Sequence, residues 1–293
     1  MVCYNKEDLI LSGAKMSREE NIEIFRDTEK LCKTNPVLLK AWKDSSSKQK
    51  LILENEEISA EKNFYEQPAR IVVSKKRTFE AAMAYEDKKV AVLNFASASN
   101  PGGGVENGSS AQEECLCRCS TLYYNLTEDD MWKKFYLPHR HAANPIHNDD
   151  LIYTPDVVIF KSDTAYPTIM PEKKWKKVNV ITCAAPNLRE RPSNSYNSGD
   201  GNKAIKISDK QLEQIHITRG RKILEAAAAD KNEVLILGAF GCGAFMNKPE
   251  VVAGAYKQLM GEFQNAFEII EFAVYCSPRD DSNFRIFEQI LKM

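Results

Sequence analysis

The chain has 293 residues, enough for one large domain or two small ones, and for a sizeable core without disulfide or metal staples. Its 40 Lys+Arg against 41 Asp+Glu give a formal net charge of −1, which argues against a basic DNA-binding protein. There is no run of 18 apolar residues to cross a membrane, and the opening MVCYNKEDLILSGAKM lacks the apolar stretch of a secretory signal. The eight scattered cysteines then read as reduced thiols of an intracellular, cytoplasmic protein, with export by a route without a cleavable signal left open.

Residues 1–67 are expected to form a helical extension packed on the core. Ser17 followed by Glu20 fits a capping box and opens a segment carrying Ile22, Ile24, Phe25, Leu31 and Cys32. The polar stretch 44–50 reads as a loop. From about residue 68 to residue 293 the pattern changes to strands alternating with helices. Apolar, β-branched runs lie at 71–73, 89–93, 157–160, 178–183, 233–237 and 269–275, and helical stretches at 77–85, 110–125, 209–229 and 249–264. Near-continuous apolar strands separated by helices predict a sheet covered on both faces: a three-layer α/β/α domain with a mixed, mostly parallel sheet. Ligands of such sheets collect at the carboxyl ends of the strands.

Two strand ends run into glycine-rich loops. One is Asn94 to Gly104, ending Pro-Gly102-Gly103-Gly104, and the other is Gly238-Ala-Phe-Gly241-Cys242-Gly243-Ala244-Phe245. Glycine lets backbone N–H groups converge on a ligand, so two such loops suit a diphosphate; tight turns without a ligand are the plainer alternative. Neither loop is a P-loop, because no Gly-Lys-Ser/Thr follows, and neither matches the dinucleotide fingerprint.

Past the first loop stand Gln112, Glu113 and Glu114, where a helical pattern begins. Ser110 and Glu113 fit a second capping box, and acidic residues suit a helix N-terminus. The functional alternative uses the pair beside the diphosphate loop. One carboxyl protonates a leaving oxygen of an attached sugar while the other holds a hydroxyl or steadies an oxocarbenium-like transition state. Because the helix N-terminus favours ionised carboxylates, the acid is expected to gain its proton affinity mainly in the complex.

Other clusters are weaker. Cys115, Cys117 and Cys119 lack the paired spacing of a zinc site and read as core thiols. His139, His141 and His147 read as a surface loop, Cys242 has no neighbouring base, and EKKWKK at 172–177 reads as a solvated turn. No metal and no cofactor are expected.

LNFASASNPGGGV, followed after six further residues by QEE, resembles the signature of the microbial-type branch of the poly(ADP-ribose) glycohydrolases. NIEIFRDTEK, LYYNL at 122–126, LIYTPDVVIFKSD at 151–163, VNVITCAAPN at 178–187 and LGAFGCGAFMN at 237–247 are similar to that family in the same order. The resemblance implies a macrodomain fold that binds ADP-ribose, and cleavage of ribose–ribose O-glycosidic bonds from chain ends. Poly(ADP-ribose) or ADP-ribosylated protein would be the substrate and ADP-ribose the product; separately from the resemblance, a monomer is expected. It implies that Glu114 is the catalytic acid, that Glu113 holds the adjoining ribose hydroxyl, and that Gln112 supports the loop. Ser97, Asn100, Gly102, Gly103, Gly104 and Val105 would line the ribose and diphosphate. Gly241, Cys242, Gly243 and Ala244 would form the second diphosphate loop, with Phe245 over the ribose. Met246 departs from the family, which often has glycine there, and is expected either to narrow the cleft or to restrict loop movement. That departure keeps open an ADP-ribose binder without turnover, and the shared diphosphate and ribose pockets keep open a hydrolase of a mono-ADP-ribosyl protein or an acylated ADP-ribose. The polar segment 187–203 reads either as a lid or as a featureless insertion.

Overall fold

The computed structural model describes residues 16–195, 197–277 and 279–292. The opening segment, and Cys3 with it, lies outside the described residues. Two helices come first, α1 (Arg18–Thr34) and α2 (Pro36–Ser46), followed by strands β1 (Lys50–Ile52) and β2 (Arg70–Ser74). Then come α3 (Thr78–Met83), β3 (Val90–Phe95), α4 (Gln112–Cys119) and α5 (Leu122–Leu126). A short helix α6 (Asp129–Met131) runs through one π turn (Trp132–Tyr136) into α7 (Leu137–Ala142). The rest is β4 (Leu151–Ile159), β5 (Lys176–Cys183), α8 (Asp209–Ala229), β6 (Val234–Leu237), α9 (Pro249–Glu262), β7 (Ile269–Ala273) and α10 (Ser282–Leu291).

The strands form one seven-stranded sheet in the order β1-β4-β5-β3-β6-β7-β2. The pairings among β5, β3, β6, β7 and β2 are parallel, whereas β4 runs antiparallel to β5 and β1 antiparallel to β4. Alternation along each strand divides the core. Val90 and Val92 of β3, Val180 of β5 and Ile236 of β6 pack with Phe25, Phe79, Leu116 and Phe135. Ala91, Leu93, Ile181 and Leu237 point the other way, into Leu224, Val252, Tyr256 and Phe287. A period of two puts successive side chains on opposite faces, so both faces need a helical cover. The result is the three-layer α/β/α architecture.

The region before residue 67 is not helical throughout. Lys50–Ile52 pairs with Leu151–Tyr153, so this region also supplies an edge strand of the sheet. The three residues are too few to show an alternating pattern, and α2 extends to Ser46 across part of the stretch read as a loop. The Ser17 box forms with both bonds: Glu20 N–H donates to Ser17 Oγ at 3.1 Å, and Ser17 N–H to Glu20 Oε2 at 2.7 Å. The helix it starts is fixed by Phe25, Thr28 and Cys32, all buried. Among the described residues, no helix is long and apolar enough to cross a membrane. Ser17→Ala is expected to cost about 1 kcal/mol of unfolding free energy, measured by denaturant titration.

Candidate active site

β3 and β6 are parallel neighbours, Val90 opposite Val234, so the chain leaves both at the same edge of the sheet. The two glycine-rich loops therefore emerge side by side. Between them lies a cleft of about 930 Å³, walled by Gly103, Gly104, Glu113 and Glu114 from one side and by Gly243 and Phe245 from the other. A cavity of this size at the strands' carboxyl ends is where an open α/β sheet holds its ligand.

The first turn of α4 builds one wall of the cleft. The helix starts one residue later than a Ser110 cap requires: Ala111 is the N-cap, without a side-chain bond, and the Ser110–Glu113 capping box does not form. Glu113 is committed elsewhere. Its Oε2 accepts from the Ser97 backbone N–H at 2.8 Å and its Oε1 from Asn94 Nδ2 at 3.2 Å. Gln112 joins helix to sheet. Its Oε1 accepts from Phe95 N–H at 2.8 Å, and its Nε2 donates to Leu93 O at 2.7 Å and to Thr78 Oγ1 at 3.0 Å. Glu114 turns toward the glycines, where Oε1 accepts from Gly104 N–H at 2.9 Å. Its Oε2 is buried without a hydrogen-bond partner.

The glycines are required by this contact. Gly103 has φ +59°, and a Cβ there would lie 2.6 Å from Glu114 Oε1 and 3.1 Å from Glu113 Oε2. Burial, then the adjacent Glu114 carboxylate, push the Glu113 carboxyl well above the usual range, against the opposing bonds from Ser97, Asn94 and Gly102.

The second loop is held from below by Asn247. Its Nδ2 donates to Pro186 O at 2.7 Å and to Phe245 O at 3.1 Å. Its Oδ1 accepts from His216 Nε2 at 2.7 Å, so Nε2 carries the imidazole proton. Burial pushes the pKa of His216 down to about 4. Gly241, φ +77°, lies so close to Asn247 and Ala185 that a Cβ would collide with both. The Phe245 ring stands 6.2 Å from the His147 ring and lies under the Arg189 guanidinium at 5.8 Å.

The expected residues divide into two groups. Ser97, Gly103, Gly104, Gln112, Glu113, Glu114, Gly241, Gly243, Ala244 and Phe245 line the cleft. Gly102, Val105, Asn100 and Cys242 stand behind it. Gly102 packs on Tyr123, Val105 belongs to the core, and Asn100 is bonded under the 187–203 segment. Cys242 packs against the core, with its thiol pushed up by burial and by Glu250.

Met246 does not narrow the cleft. It is 63% exposed and absent from the wall, and its φ of +60° explains why glycine suits the position. His139 and His147 are buried rather than on a surface loop, His139 because α7 reaches through it and its ring bonds Phe135 O and Asn148. Asn94, Asn197, Arg189, Arg77 and Tyr275 also belong to the site or its immediate support, and their only sequence signal was proximity to strand ends or to the polar 187–203 stretch. Met246→Gly is expected to raise stability by roughly 0.5 kcal/mol, as relief of the left-handed backbone outweighs added chain entropy, read from the denaturant midpoint.

Comparison with known proteins gives the site its family. Residues 16–162, half of the chain, match the family model described as microbial-type PARG, catalytic domain. The poly(ADP-ribose) glycohydrolase of Thermomonospora curvata superposes with a TM-score of 0.78 at 27% identity, over 93% of this chain and 99% of that one. The same protein bound to the inhibitor ADP-HPD gives 0.76 at 27% identity, over 92% and 99%. The poly(ADP-ribose) glycohydrolase of Deinococcus radiodurans, in complex with ADP-ribose, gives 0.72 at 31% identity, over 85% and 96%. No curated protein sequence matches the chain. A family model spanning half the chain, and a relative above 30% identity covered almost end to end, place this chain in the microbial-type poly(ADP-ribose) glycohydrolase family.

Proposed function

We propose that Glu114 is the general acid of this enzyme and that ADP-ribose leaves from polymer ends one unit at a time. The chain is a poly(ADP-ribose) glycohydrolase, a glycosidase that hydrolyses ribose–ribose bonds. The observation that carries the assignment is the pair of Glu114 oxygens. One is fixed by Gly104 N–H, and the other is buried with no donor to satisfy it. An oxygen so placed is the one that carries a transferable proton toward a substrate atom.

In this reading the bridging oxygen of the glycosidic bond takes that proton as the bond to the anomeric carbon breaks. Water then adds to the oxocarbenium-like centre and gives up a proton that restores Glu114 to its acid form. The diphosphate rests against the 241–245 loop, where the amides of Gly243, Ala244 and Phe245 suit an anion. Glu113, held by Ser97 and Asn94, keeps lone pairs for a ribose hydroxyl and fixes the loop from beneath. Phe245 closes the cleft over the sugar. The exposed Met246 leaves the cavity open, which favours turnover over binding alone.

Glu114→Gln should lower polymer turnover about 10²–10⁴-fold while ADP-ribose still binds by calorimetry. Retained turnover would remove the role, and oligomers among the first products would remove the end-directed mode. Glu113 supplies a second test. A carboxyl whose pKa is raised by folding keeps its proton in the native state after the unfolded chain has lost it. Native stability therefore falls as pH rises from about 4.3, the ordinary glutamate value, through the raised one. Glu113→Gln removes that slope. Unfolding midpoints of the two proteins should diverge across that window, the wild type losing ground as pH increases.

A further inference from the structure

The segment 187–203 is tied onto the catalytic loop. Asn197 Oδ1 accepts from Ser97 Oγ at 2.7 Å and from Asn100 Nδ2 at 2.8 Å, and Ser198 O accepts from Asn100 Nδ2 at 2.6 Å. Asn197 also lines the cleft. Arg140 of α7 clasps the junction, donating to Ser99 O at 3.1 Å, Asn100 Oδ1 at 2.8 Å and Ser198 O at 3.2 Å. Gly199, φ +110°, sits so closely that a Cβ would fall 2.8 Å from Ser99 Cβ and 3.0 Å from Arg140 Cγ.

At the centre is Asp200, 1% exposed. Its Oδ1 accepts from Ser99 Oγ at 2.7 Å, and its Oδ2 from Asn187 Nδ2 at 2.8 Å. His147 Nε2 stands 3.5 Å from Oδ1, and the His147 ring is the neighbour of Phe245. One buried carboxylate therefore reaches the loop after β3, the chain leaving β5, and the aromatic wall of the loop after β6. Burying a carboxylate is costly unless donors surround it, so these groups are held together as long as Asp200 stays ionised and in place.

We propose that Asp200 is a positioning residue for glycosidic cleavage, fixing residues 97–100 beneath the catalytic glutamates through Ser99 and, with Asn197, through Ser97. This rests on the glycohydrolase reading above. The chain of contact is short: Asp200 holds Ser99, Asn197 holds Ser97 Oγ, and Ser97 N–H holds Glu113. Errors of a fraction of an ångström in that chain reach the carboxylate pair, where geometry governs rate. The conserved volume of Asp200→Asn replaces an acceptor by a donor opposite Asn187 Nδ2 and loosens the tie without a cavity.

The test uses the full chain, poly(ADP-ribose) as substrate and ADP-ribose as titrant. Asp200→Asn is expected to lower kcat about tenfold, with ADP-ribose affinity held within about threefold. Asn187→Asp added to Asp200→Asn restores a donor–acceptor pair and should recover part of kcat. Asn197→Ala, which leaves the buried carboxylate in place, should lower kcat in the same direction, and it decides the matter if Asp200→Asn does not fold. An unchanged kcat with a lowered unfolding temperature would overturn the proposal, since the tie would be structural alone. Parallel loss of kcat and affinity would overturn it too, since Asp200 would then serve the binding wall. A wild-type protein that binds ADP-ribose but releases none would instead count against the glycohydrolase reading.

Discussion

Two backbone N–H groups of one loop end on two adjacent carboxylates of one helix turn: Ser97 on Glu113 and Gly104 on Glu114. Everything else in the site serves that contact. The parallel β3–β6 pair brings the second glycine loop alongside. Gln112 fixes the helix to the strand, so the turn bearing the glutamates cannot drift from the sheet. The absence of a side chain at Gly103 lets the loop lie directly on Glu114. The cost is a carboxyl, Glu113, buried beside another. The fold bears it with donors from the very loop that the carboxyl holds.

The two faces of the sheet divide this labour. The face that packs Phe79, Leu116 and Leu122 carries the helix with the glutamates. The opposite face, with Leu224, Tyr256 and Leu259, carries the long helices that support the second loop through His216 and Asn247. The cleft opens between devices anchored in different layers. Substrate bound across it would bridge them.

Much of this was legible in the residues, because it depends on local pattern. Apolar β-branched runs become strands through period-two burial, and glycines next to strand ends become loops that a Cβ would spoil. GGG with QEE brought the two glutamates and their loop into one motif. What stayed hidden was long-range or disguised. Asn197 and Asp200 lie about a hundred positions from the loop they hold, and Asn, Asp, Ser and Gly in that stretch read as any loop does. Pro138 among the histidines suggested irregular chain, yet it sits in the first turn of α7 behind a π turn, where a missing N–H is tolerated. The Ser110 box failed because a tertiary partner outbid a local one for Glu113.

The position of β2 bears on how the molecule is made. It is an edge strand whose sheet partner, β7, occupies residues 269–273. During translation, at roughly 5–20 residues per second, β2 waits tens of seconds for that partner to leave the ribosome. Throughout that interval its hydrogen-bonding edge and apolar face invite association with other nascent chains. Truncation before Ile269 would leave it orphaned for good, so C-terminal shortening should yield aggregate rather than a smaller enzyme.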